Sequence, residues 1–145
     1  DEESGENHHP ELWLRFAESL GASREQVKKA ELFPETKKLI DTFLELSRSS
    51  YEEGLGALHA YESQVPGVAA SKVDGLEKFY GIRSDRSLEF FRVHLKADVY
   101  HSEACEALLD KLTSAQKDRA AAASARAAEA LWGFLDGMHR EAKCA

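Results

Sequence analysis

Arg92-Val93-His94-Leu95-Lys96-Ala97-Asp98-Val99-Tyr100-His101 lies inside a long helical pattern that begins near Ser87. His94, Asp98 and His101 stand at i, i+4 and i+7, so they share one face of a helix over two turns. Phe91, Leu95, Cys105 and Leu108 extend the same side, so that face is expected to point inward. Two imidazoles and a carboxylate are costly to bury unless something satisfies them. A divalent metal does so, and this ligand set suits iron, manganese or zinc. A core histidine pair hydrogen-bonded to an aspartate is the other reading of the triplet, and the spacing by itself leaves both standing.

Working outward, the composition sets the class. The chain has 145 residues, 43% of them hydrophobic and 31% charged, enough for a single domain with a core. Ala, Leu, Glu, Lys and Arg dominate and only three prolines occur, which is an all-α composition. A net charge of −7 argues against a nucleic-acid partner or an anionic membrane surface. No apolar run approaches the roughly 20 residues that span a bilayer. The acidic, polar N-terminus carries no signal-peptide pattern. Cys105 and Cys144 match no zinc spacing and read as reduced thiols of a cytoplasmic protein. Asp1 has no methionine before it, so the chain is expected to begin partway into a longer protein.

Taken in order, the pattern predicts helices over 10–20, 23–31, 34–49, 51–62, 68–79, 87–112 and 114–142. Pro10 and Pro34 open helices, and Gly21 and Gly81 close them. Ser23-Arg-Glu-Gln26 is a capping box. Ser84 or Asp85 is the expected N-cap of the His94 helix, and Ser114 that of the last one. Pro66 is expected to break the chain between Ser63 and Gly67. Gly54 and Gly56, inside a helical pattern, mark close packing or a ligand. Ala120–Ala130 is alanine-rich but continues into Leu131, Phe134, Leu135 and Met138, which reads as a closely packed helix.

Two further segments carry candidate ligands. Glu62 ends its helix on the side of Leu55 and Leu58, where an acid opposes the helix dipole. Glu2 and His9 are seven apart, as are Asp1 and His8; taken alone, each of these reads as a solvated acid or a polar tail. Together with the triplet they form the inventory of a dinuclear carboxylate site of the kind built in helical bundles.

Four stretches resemble one family: Asn7-His-His9-Pro-Glu-Leu-Trp13, Ala57-Leu-His-Ala-Tyr61-Glu-Ser-Gln-Val-Pro66, Lys72-Val-Asp-Gly-Leu76-Glu-Lys-Phe-Tyr80-Gly-Ile82 and Phe90–Ser102. The family is the haem-oxygenase-like di-iron oxidases of the TenA/PqqC superfamily, and within it the CADD branch, which makes p-aminobenzoate for folate. The resemblance runs from Glu2 to about Leu109. It implies a haem-oxygenase-like bundle of about seven helices, here 1–145, lacking its first helices. It implies the metal ligands Glu2, His9, Glu62, His94, Asp98 and His101, with His9 preferred to His8 because Pro-Glu-Leu-Trp follows it. The implied cofactors are two iron ions, or iron with manganese, and O2 is the co-substrate.

CADD-like members use a tyrosine of their own as ring source and a lysine as nitrogen source. The matching lysine is Lys72, expected on a stripe with Val68, Leu76 and Phe79; the tyrosine falls in the part that this chain lacks. The substrate is accordingly a small molecule or self-derived, and a homodimer is compatible with the reading. Two rivals keep the fold: a metal-free, PqqC-like oxidase of pyrroloquinoline quinone biosynthesis, and a non-enzymatic helical module that binds proteins.

Overall fold

The computed structural model describes residues 8–144, and these contain helices and no strand. The helices are α1 (His9–Ser19), α2 (Arg24–Lys28), α3 (Pro34–Ser49), α4 (Tyr51–Glu62), α5 (Val65–Tyr80), α6 (Asp85–Leu109) and α7 (Ser114–Cys144). The all-α expectation holds. The chain divides into two compact units, each built from two stretches. One takes the residues up to Glu31 with Val65–Asp98; the other takes Leu32–Gln64 with the residues from Val99 onward.

Local chemistry explains most boundaries. Pro10 and Pro34 occupy first-turn positions, where their missing N–H is no loss. Ser23 and Gln26 form the reciprocal capping box on α2. Gly21 and Gly81 end their helices at φ +88° and +67°, a region glycine enters freely. Ser84 Oγ accepts from the Ser87 N–H, so Ser84 caps α6. Two expectations are corrected. The chain turns at Ser63 and Gln64, inside the expected stretch, but Pro66 lies in the first turn of α5, which starts at Val65 rather than Val68. Gln116 reaches back to the Thr113 N–H at 3.1 Å, which makes Ser114 the first residue of α7 rather than its cap.

In the first unit, Phe16 of α1, Ala69 of α5 and Phe91 of α6 form a buried cluster, with Val73, Leu76, Phe90 and Leu95 packed on it. The buried stripe of α5 is therefore Ala69, Val73 and Leu76. The stripe expected from the sequence is displaced: Val68, Lys72 and Phe79 are exposed. The two stripes lie side by side on one helix, and the one without an ammonium group is the cheaper to bury.

In the second unit, Leu46 of α3, Ala57 and Ala60 of α4, and Ala123 and Ala127 of α7 form the core, with Phe43 beside it. The α4–α7 crossing is close. A Cβ on Gly56 would fall 2.3 Å from the Ala120 carbonyl oxygen, and Ser124 Oγ donates to the Gly56 carbonyl at 2.7 Å. Alanines on α7 and a glycine on α4 let the backbones approach. Ion pairs flank the contact: Arg119 with Glu52, Arg126 with Glu45 and Arg140 with Glu35. The last two pair an early α3 acid with a late α7 base and a later α3 acid with an earlier base, so α3 and α7 run antiparallel.

Candidate metal centre

α6 presents His94, Asp98 and His101 along one continuous helix. His94 is 6% exposed and Asp98 1% exposed, and His101 is half-buried. The face is not buried to its end: Leu108 is exposed, and α6 stops at Leu109 rather than Leu112. Cys105, one turn after His101, is buried and free. Burial, and then the Glu62 charge, push its thiol upward, which disfavours the free thiolate.

In the first unit, His9 meets His94. Their ring centroids are 4.3 Å apart with planes at 47°. His8 and His9 play different parts. His8 is the N-cap of α1, its Nδ1 accepting from the Glu11 N–H, whereas His9 is 8% exposed. His94 Nδ1 lies 2.6 Å from the Phe90 carbonyl oxygen. A carbonyl only accepts, so Nδ1 carries the proton and Nε2 is left with its lone pair. Phe90 packs on His94 at 4.3 Å between centroids, and Trp13 packs edge-on against Phe90 at 5.0 Å. The i, i−4 link between Phe90 and His94 was open to reading in the sequence; the aromatic wall needs the packing of α1 on α6.

In the second unit, His101 meets Glu62. His101 Nδ1 lies 3.6 Å from Glu62 Oε2, and Glu62 is 8% exposed. The acid at the C-terminus of α4 thus has an imidazole facing it. Asp98 and His101, one turn apart on α6, each offer a ligand atom within 4.8 Å of the other. Glu2 lies outside the described residues. Lys72 is exposed on α5.

Chemistry of the donors is the test of whether a metal fits. Among the described residues six polar or charged side chains are buried: His9, Glu52, Glu62, Ser87, His94 and Asp98. Glu52 is bound by Arg119, and Ser87 shares its hydroxyl with Ser84 at 2.5 Å. The other four are all imidazole or carboxylate donors. Buried imidazole and carboxylate donors are what a divalent iron or manganese site requires, and the donors in each unit have that chemistry.

Comparison with known proteins points the same way. A family profile described as iron-containing redox enzyme matches residues 1–133. A 4-aminobenzoate synthase of Nitrosomonas europaea is 48% identical over 142 residues, covering 96% of this chain and 58% of the relative. One from Chlamydia muridarum is 34% identical over 145 residues, covering 99% of this chain and 61% of the relative. A pyrroloquinoline-quinone synthase of Acinetobacter calcoaceticus is 29% identical over 133 residues, covering 88% and 52%. The chain spans between 52% and 61% of the length of these relatives. A profile that takes in all but the last dozen residues, α1 to most of α7, leaves one assignment: the chain belongs to the haem-oxygenase-like family of iron-containing redox enzymes.

Proposed function

We propose that this chain carries the metal-holding part of an O2-dependent oxidase that forms 4-aminobenzoate for folate, acting in the cytoplasm. The ligands are Glu2, His9, Glu62, His94, Asp98 and His101, and the metals are two irons, or iron with manganese. One observation carries the reading. Apart from an ion-paired glutamate and a serine with its own partner, the buried polar side chains of the described residues are all members of that set. Bound iron supplies the one-electron redox chemistry by which dioxygen is reduced.

The remaining work belongs to the chain. The Phe90 carbonyl accepts the His94 Nδ1–H and leaves Nε2 as the atom that would hold a metal. Phe90 packs against the His9 and His94 rings and shields them from water. Lys72 serves as the nitrogen source, and the organic substrate is a small molecule or a side chain of the protein itself.

Elemental analysis of anaerobically purified protein tests the metals: about two per chain are expected, whereas a metal-free oxidase or a protein-binding module would carry none. For Lys72, a Lys72→Arg variant of the chain extended to the full length of its relatives is expected to keep its metal and lose product. Full product from that variant would return Lys72 to an ordinary helix lysine.

A further inference from the structure

Glu62 is the last residue of α4, where the final carbonyls of a helix have no partner within it. Its place beside His101 depends on what fixes that end of α4 against the part of α6 that starts at Val99. The buried cluster of the second unit takes its residues from α3, α4 and α7, so it holds α4 but not α6. The contact between Glu62 Oε2 and His101 Nδ1, at 3.6 Å, is longer than a hydrogen bond and does not fix the spacing.

One turn before Glu62 stands a second imidazole–carboxylate contact with the roles exchanged. His59 Nε2 lies 3.3 Å from Glu106 Oε1, the imidazole now on α4 and the acid on α6. A carboxylate only accepts, so Nε2 is the donor. A step forward along α4 from His59 to Glu62 is a step backward along α6 from Glu106 to His101, so both contacts belong to one antiparallel pairing. The His59 carbonyl also accepts the Ser63 N–H at 3.0 Å. His59 therefore closes the last turn of α4 and links that turn to α6. The side chains of Glu62 and His101 are 10% and 18% exposed, those of His59 and Glu106 25% and 62%, which puts the second pair at the wetter edge. Among the described residues, Glu62 and His101 belong to a group of donors close enough to share an ion, and His59 and Glu106 do not.

We infer that His59 and Glu106 are positioning residues of the candidate metal centre. Their hydrogen bond sets the spacing of α4 and α6 at which Glu62 and His101 are presented to a metal. The inference rests on the reading of Glu62 and His101 as ligands.

Two measurements test it, one of them without metal. In the metal-free chain at fixed pH, the imidazole nitrogen resonances of His101 should move in Glu106→Ala and stay near the wild type in Glu106→Gln, whose amide oxygen keeps the hydrogen bond. Glu103→Ala, the same loss of charge at an exposed position of α6, should leave them in place. In anaerobic titration with iron(II), Glu106→Ala and His59→Ala should each weaken binding by about threefold, the range of a partly exposed pair. The double variant should lose no more than either, Glu106→Gln should recover most of the loss, and Glu106→Ala should change nothing further once His101→Ala is present. His101 resonances that stay put in Glu106→Ala, or move equally in Glu103→Ala, overturn the proposal. So do affinities unchanged by Glu106→Ala, losses that add in the double variant, or a Glu106→Gln no better than Glu106→Ala. A wild type that takes up no iron(II) removes the ligand reading instead, and the His101 resonances still decide whether the pair sets that ring.

Discussion

Glu11 shows how far a single partner sets a side chain's behaviour. Its carboxylate accepts from Arg24 at 2.7 Å and from Arg15 at 3.0 Å. The hydrogen bond from Arg24 is the largest cause that holds it down, from an ordinary 4.5 to about 2. A depressed carboxylate stabilises the fold fully above its unfolded value and loses that contribution as pH falls through the folded one. Thermal melts should therefore show the wild type ahead of Glu11→Gln at pH 5, with the gap closing between pH 4.5 and pH 2. A gap that persists in acid would mean that the variant differs by packing and not by charge. Asp98 is the opposite case, a carboxylate 1% exposed among candidate ligands. Asp98→Ala removes an acid that is expensive to bury without a metal, so metal affinity should fall by at least about tenfold while the metal-free melting temperature changes little. Unchanged iron content would take Asp98 out of the ligand set. At this scale the i, i+4, i+7 spacing was enough to single out His94, Asp98 and His101. The distinction between His8 and His9 was not open to spacing, because both pair with an acid seven residues before them. The resemblance preferred His9 for the Pro-Glu-Leu-Trp that follows it, and the cap that His8 makes on α1 gives the structural reason.

Among the elements, glycines that look alike in sequence have unlike surroundings. Gly56 faces the Ala120 backbone across the α4–α7 contact, and the carbonyl oxygen that a Cβ would strike cannot swing aside as a side chain can. Gly56→Ala is expected to destabilise by about 3 kcal/mol, the upper range for overpacking, and to lower the melting temperature accordingly. Gly75, inside α5, has nothing within 4 Å of its would-be Cβ. Gly75→Ala should stabilise by roughly 0.5–1 kcal/mol through helix propensity and a less free unfolded chain. If Gly56→Ala melts like the wild type, the two helices are not held together by backbone contact. Helix positions were legible from period and caps, and α3 and α4 fall over 34–49 and 51–62, where Pro34 and the apolar periods put them. The errors came where one residue has two uses. Pro66 reads as a breaker or as a first-turn residue, and only the start of α5 at Val65 chooses. On α5 two stripes compete, and packing against Phe16 and Phe91 buries the one with Ala69.

For the whole molecule, the candidate ligands sit in both compact units: His9 and His94 in one, Glu62 and His101 in the other, with α6 common to the two. A metal that binds these groups folded and not unfolded adds RT ln(1 + [L]/Kd) to stability, about 2.7 kcal/mol at a hundredfold excess over Kd. In a chain of this size that is worth roughly 8 °C. Iron(II) added anaerobically should therefore raise the melting temperature by about that much, and a chelator should reverse it. Because α6 supplies ligands to each pair, His94→Ala and His101→Ala should each remove part of the increment, and the double variant nearly all of it. Spacing names α6 as the common element, and the family resemblance adds His9 and Glu62, although nothing local in those two residues says what faces them. The same melts discriminate the rivals: a metal-free oxidase or a helical binding module gains nothing from iron(II), and its histidine variants melt alike with and without the metal.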